Sequence, residues 1–285
     1  MTVQPTTVGL HPRVIALLVL SIIAFAANSI IARAALGTGA IGAGSFTAIR
    51  LATGAIVLGI AVRAVPDRTN VAEAAALLVY AAGFSFAYLA MGAATGALIL
   101  FAVVQITMFT AAVRSTDKPG LMAWLGMAVA LAGLAWLLAP GLTAPPLTAA
   151  LAMAAAGIAW GVYSLLGRRA GGDPGKVAAR SFMLAAPPAL LLIGLDHQSA
   201  TMPGIGLAML SGGVTSGLGY LAWYRALPHV RAGTAAVLQL LTPPLAVVGG
   251  VLMLGEALSP RLVWTSALIL AGVVIALRAP RRHRR

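Results

Sequence analysis

The chain has 285 residues, of which 60% are hydrophobic and 9% charged. A soluble domain has roughly 45–50% apolar and about 25% charged residues, so an ordinary soluble enzyme or binding module is excluded. The 19 Lys and Arg against 6 Asp and Glu give a net charge of +13, which by itself admits nucleic-acid binding; their placement points to a membrane instead. There is no cysteine, hence no disulfide, Cys-ligated metal or Cys nucleophile.

A helix rises ~1.5 Å per residue, so about 20 apolar residues cross a bilayer core of ~30 Å. Ten such stretches follow one another: 13–35, 42–62, 72–92, 95–114, 121–139, 148–167, 177–195, 204–226, 232–254 and 261–278. The gaps are short and rich in turn residues, as in VPDRTN, STDKPG and GGDPGK. Barrel strands would alternate polar and apolar residues, which these stretches do not. The first follows His11 and Arg13 as a signal peptide would, but it is too long for one and is expected to remain a span. The fold class is an all-α membrane protein of ten transmembrane helices.

Lys and Arg orient the spans. With a cytoplasmic N-terminus, 16 of the 19 basic residues fall on inside loops and flanks; Arg33, Arg50 and Arg261 are the others. Both termini are then cytoplasmic. The closing RRHRR becomes an anchor to anionic lipid, and nucleic acid is not expected as a partner.

The sentence IAFAANSIIARAA at 23–35 returns as IAWGVYSLLGRRA at 158–170. Ile23, Ala24, Ser29, Arg33 and Ala35 recur as Ile158, Ala159, Ser164, Arg168 and Ala170. Further matches keep their order: AIR at 48–50 with AAR at 178–180, YLA at 88–90 with 220–222, and Ala132–Gly133 with Ala271–Gly272. Two five-helix repeats are expected, residues 1–140 and 141–285. Five is odd, so the copies enter the membrane from opposite sides and are inverted. That is the architecture of many secondary transporters, with a binding site between the repeats.

The segment 232–277, with LQLLTPP, the LGE at 254–256 and AGVVIAL, resembles the closing signature of the drug/metabolite transporter superfamily, EamA type. IAWGVYSLLGRR looks like the start of that family's second repeat. Length and layout resemble the YddG-type amino-acid exporters. The resemblance implies a multi-pass exporter of small metabolites in a bacterial inner membrane. The first half departs from the pattern: VVQITM with Gln105 stands where the fourth span often carries a proline, and no LGE follows.

Polar groups on a lipid-facing surface are costly, so polar and aromatic faces mark the interior. Phe25 and Asn28 share such a face with Ser21; Tyr80, Phe84 and Tyr88 form another; Trp160, Tyr163 and Ser164 a third. Tyr220 lies with Ser216 and Trp223, Gln105 with Phe101 and Met108, and Gln239 with Thr242. The substrate-lining candidates are Trp160, Tyr163, Asn28, Gln105, Gln239, Ser164, Phe25, Tyr80, Phe84, Tyr88 and Tyr220. For the amides, interhelical hydrogen bonding is the competing role. Trp124, Trp136 and Trp264 sit near span ends and read as interface anchors. Pro243 and Pro244 free carbonyls one turn earlier and mark a hinge; Pro187 and Pro188 mark a second. Arg50 is the basic residue deepest in a span. Packing or snorkelling is its expected role, and meeting a substrate carboxylate the alternative.

All six acids and four histidines fall in loops or at span ends, so no mid-membrane proton relay is expected; transport down a gradient, or coupling through Glu256, follows. Nothing activates a hydroxyl, and no phosphate-binding GxxxxGK[ST] occurs, so neither enzymatic chemistry nor ATP drive is expected. No cofactor, metal or catalytic residue is anticipated, and a monomer is. The reading is a secondary transporter of amino acids, aromatic or neutral, by alternating access through an aromatic-lined cavity. A facilitator of cationic drugs or nucleobase-like metabolites is the alternative. A lipid scramblase or intramembrane enzyme is the rival from another class.

Overall fold

Apolar residues run all round these segments, so a helix is the form in which their backbone can be satisfied within lipid. The computed structural model describes residues 11–113, 120–139, 144–226, 229, 238–239 and 241–278, and the described residues contain no strand. The helices are α1 (Pro12–Gly37), α2 (Ala43–Val62), α3 (Val71–Tyr88), α4 (Ala93–Val113), α5 (Leu121–Leu138) and α6 (Leu147–Arg169), followed by α7 (Pro174–Leu195), α8 (Met202–Ala226), α9 (Thr242–Leu254) and α10 (Pro260–Arg278). Eight are long and apolar enough to cross a membrane; α9 and α10 contain shorter apolar runs. The first half of the ninth expected span and the basic tail lie outside the described residues.

Local chemistry sets the ends. Three helices open with a side-chain cap and a proline in the first turn, where its missing N–H costs nothing. His11 accepts from Arg13 N–H, Asp173 from Gly175 N–H and Thr201 from Gly204 N–H. The LGE of the C-terminal signature is a helix stop: α9 ends at Leu254, Gly255 takes φ +64°, and Glu256 N–H returns to Gly250 O at 3.1 Å. That left-handed residue turns the Glu256 side chain back into the bundle.

Two helices are less regular than their sequence suggests. After Pro187 and Pro188, which lack amide donors, α7 tightens into 3₁₀ turns from Leu190 to Leu195. In α8, Ser211–Leu218 is π-helical, a geometry frequent at functional sites.

The main packing partnerships come in matched pairs. α3 packs on α6 and α8 on α1; α4 packs on α6 and α9 on α1; α2 packs on α8 and α7 on α3. α2 with α7, α4 with α9 and α5 with α10 map onto themselves when the first five helices are exchanged with the last five. In the α5–α10 contact the two backbones approach closely. A methyl on Gly126 would strike Gly272 O and the Ala276 backbone, and one on Gly272 would strike Gly126 O and Ala130. Around the outside, Ile60, Leu191 and Leu252 are 75%, 81% and 79% exposed, an apolar belt that only lipid covers well. Trp124, Trp136 and Trp264 belong to this exposed set.

Candidate functional site

Aromatic side chains from both halves meet at the centre. Phe25, Asn28 and Ser29 of α1, Tyr80 and Phe84 of α3, Leu100 and Phe101 of α4, Trp160 of α6 and Tyr220 of α8 enclose a cavity. Its volume is ≈ 20 Å³, room for a water molecule and too little for any amino acid. The rings fill the rest. Trp160 lies 4.8 Å from Tyr80 and 5.0 Å from Tyr220, centroid to centroid, and Phe25 stands edge-on to Tyr220 at 5.7 Å. Each such pair contributes ~0.5–1.5 kcal/mol beyond its buried area. Among the described residues this cavity is filled largely by its own lining.

The candidates from sequence divide accordingly. Phe25, Asn28, Tyr80, Phe84, Trp160 and Tyr220 line the cavity. Tyr163 is buried against Trp160 at 5.5 Å, behind the wall, and Ser164 donates to the Trp160 carbonyl. Tyr88 donates to Ala93 O at 3.3 Å, at the turn between α3 and α4. Gln105 is buried on α4 one turn beyond Phe101, and Gln239 is half-buried. Pro243 and Pro244 occupy the first turn of α9.

Asn28 does two things at once. It lines the cavity, and its Oδ1 accepts from Ser211 Oγ at 2.6 Å and Thr215 Oγ1 at 3.0 Å. The π-helical stretch of α8 carries both hydroxyls on one face and Ser216 beside them. Two hydroxyls four residues apart in an apolar span were the available signal for this contact.

Arg50 is not a snorkelling residue. It is 1% exposed, about 10 Å along α2 from its start, and its guanidinium points into the bundle. Nε donates to Ser216 Oγ and Nη2 to Tyr80 Oη, each at 3.0 Å. The guanidinium carbon lies 4.8 Å from the Phe84 ring centroid and 5.1 Å from that of Tyr80. Close approach of the helices makes this possible: at Gly212 of α8 a methyl would strike the Arg50 carbonyl.

The ends of the bundle are closed by carboxylates reaching between halves. At one end Glu256 accepts from Ala93 N–H at 2.6 Å and Ala94 N–H at 3.3 Å, neutralising the start of α4, and sits 3.9 Å from Arg33. At the same end Asp196 accepts from Gly44 and Ser45 N–H, both at 2.7 Å, at the start of α2. At the other end Asp67, just after α2, pairs with Arg180 of α7 at 3.2 Å. The Asp67 carboxyl is held below the ordinary carboxylate range, first by the Thr69 N–H and further by Arg180.

The comparisons with known proteins agree with this architecture. A model of the EamA-like transporter family matches residues 147–278. An uncharacterized protein of Pseudomonas aeruginosa, PA1977, is 47% identical over 279 residues, 95% of this chain and 96% of its own length. The threonine/homoserine exporter RhtA of Escherichia coli K12 is 33% identical over 174 residues, 58% of this chain; the match spans about half of RhtA, 55% of its length. A solved crystal structure superposes with a TM-score of 0.66 over 92% of this chain and 96% of its own, at 21% identity, a likeness of fold. The chain is a multi-pass membrane protein and belongs to the EamA-like transporter family, within the drug/metabolite transporter superfamily.

Proposed function

We propose that this chain exports small amphipathic metabolites, amino acids first, from the cytoplasm across a bacterial inner membrane. The observation that carries the reading is the aromatic cavity built jointly by α1, α3, α4, α6 and α8, at the centre of a transporter-family fold. Ring faces suit an apolar body, and Asn28 and Ser29 suit a polar end. The similarity to a threonine/homoserine exporter supports the outward direction and the amino-acid class.

The mechanism is alternating access by two inverted five-helix halves, with both termini cytoplasmic. The matched packing partnerships support a duplicate, and an odd helix number inverts it. In this arrangement Asp196 and Glu256 fasten the periplasmic face, and the Asp67–Arg180 pair fastens the cytoplasmic face. Release of one set opens the cavity to one side while the other set holds. The cavity is the crossing point between the two.

Counterflow in proteoliposomes tests this. Vesicles loaded with L-threonine or L-phenylalanine should accumulate the same labelled amino acid, and Trp160→Ala should lower the rate at least about tenfold by removing the ring that joins both halves of the lining. No flux of any amino acid, with flux of tetraethylammonium or a fluorescent lipid instead, would defeat the reading.

A further inference from the structure

We propose that Arg50 is the docking group for the carboxylate of the transported solute, with the Tyr220 hydroxyl beside it. The inference rests on the amino-acid reading above and names the chemistry it requires. Arg50 is among the largest fully buried side chains. Nε and Nη2 have partners, but the buried Nη1 has none, and neither has the buried Tyr220 hydroxyl. Among the described residues no carboxylate lies within 4 Å of the guanidinium; the ion pairs there are Arg33 with Glu256 and Arg180 with Asp67. Ring faces and neutral hydroxyls polarise toward the cation without neutralising it. A full positive charge with an idle N–H donor is thus held at the middle of the bundle, where it is costly unless a ligand meets it.

Its position says which ligand. Tyr80, Phe84 and Tyr220 are cavity lining, and Arg50 lies directly behind Tyr80 and Phe84. A solute that spreads these rings exposes the guanidinium. A carboxylate fits it: planar, anionic, with two acceptor oxygens for the N–H fork. The apolar body then rests on Trp160 and Phe25. A quaternary ammonium in the same cavity faces a like charge across one ring, which disfavours cationic substrates.

The test compares acids with their amides. L-threonine and L-phenylalanine, and the corresponding L-threoninamide and L-phenylalaninamide, compete for counterflow in proteoliposomes of the wild type, Arg50→Gln and Arg50→Lys. In parallel, the same four compounds and sodium chloride are titrated against the thermal midpoint of the detergent-solubilised protein. The acids should compete at least about tenfold better than the amides in the wild type. That ratio should fall toward one in Arg50→Gln and stay partial in Arg50→Lys. The ratio is read within each variant, so the amount of folded protein does not affect it. Equal competition by acid and amide in the wild type, or a ratio that survives Arg50→Gln, overturns the assignment. Chloride stabilising as well as the acids also overturns it, leaving an inorganic-anion site. Acid-specific stabilisation without amino-acid flux upholds the docking site while the export reading fails. No response to any acid, by flux or by midpoint, defeats both.

Discussion

The Glu256 carboxylate accepts the amide N–H of Ala93 at 2.6 Å, across 163 residues of sequence, and so ties the end of α9 to the start of α4. This is a helix N-cap supplied from the other half of the chain. Removing such a cap costs ~1 kcal/mol, up to ~2. Glu256→Ala should lower stability in detergent by about that amount, and Glu256→Gln, which keeps one acceptor oxygen, by roughly half. Unfolding midpoints in a denaturant series check both.

Asp67 makes the opposite closure sensitive to acid. Its folded carboxyl is depressed by the Thr69 N–H and by Arg180. A depressed carboxyl contributes stability that is fully present above the unfolded value and is lost as pH falls through the folded one. The midpoint of the wild type should therefore drop on acidification below the ordinary carboxylate range. Asp67→Asn should remove that part of the drop and leave the midpoint near neutral pH slightly reduced, since the group is exposed.

Asn28 holds α1 to α8 through Ser211 and Thr215. Within a membrane such bonds are worth about 0.6 kcal/mol on average and up to ~1.7. Asn28→Ala strands the buried Ser211 hydroxyl, while Thr215 keeps the Ser211 carbonyl as acceptor, and should cost about 1–2 kcal/mol. Ser211→Ala combined with Asn28→Ala should cost less than the sum of the single changes, as a double-mutant cycle would show.

Gly126 and Gly272 let α5 and α10 touch backbone to backbone. A larger side chain at either position has no room without separating the helices, a cost of ~1–3 kcal/mol. Gly126→Leu should reduce the yield of folded protein and its midpoint, while Leu121→Ala, on the exposed surface of the same helix, should change neither.

Hydropathy was enough to read the spans, because lipid demands a long apolar run for every crossing. The helix faces were legible in part. Tyr80 and Phe84 line the cavity as their spacing suggests, but Tyr88 does not share their place. Eight residues advance about 12 Å along the axis and turn ~80° off the first position, enough to carry Tyr88 to the α3–α4 turn. Arg50 was the harder case. A lone arginine in an apolar helix reads as snorkelling until Tyr80 and Ser216, 30 and 166 residues away, are seen to hold it. The π-helical register of α8 that presents Ser211, Thr215 and Ser216 together has no counterpart in the hydrophobic pattern.

Locking the two faces separately tests alternating access most directly, and the absence of native cysteine makes the labelling clean. Asp67→Cys with Arg180→Cys places a thiol pair at one end, and Ser45→Cys with Asp196→Cys places one at the other. A reductant-cleavable bis-maleimide should halt amino-acid counterflow when it spans either pair alone, and reduction should restore it. Counterflow that continues undiminished with both pairs cross-linked would contradict the account, because a cavity that opens to each side in turn cannot work with both sides held shut.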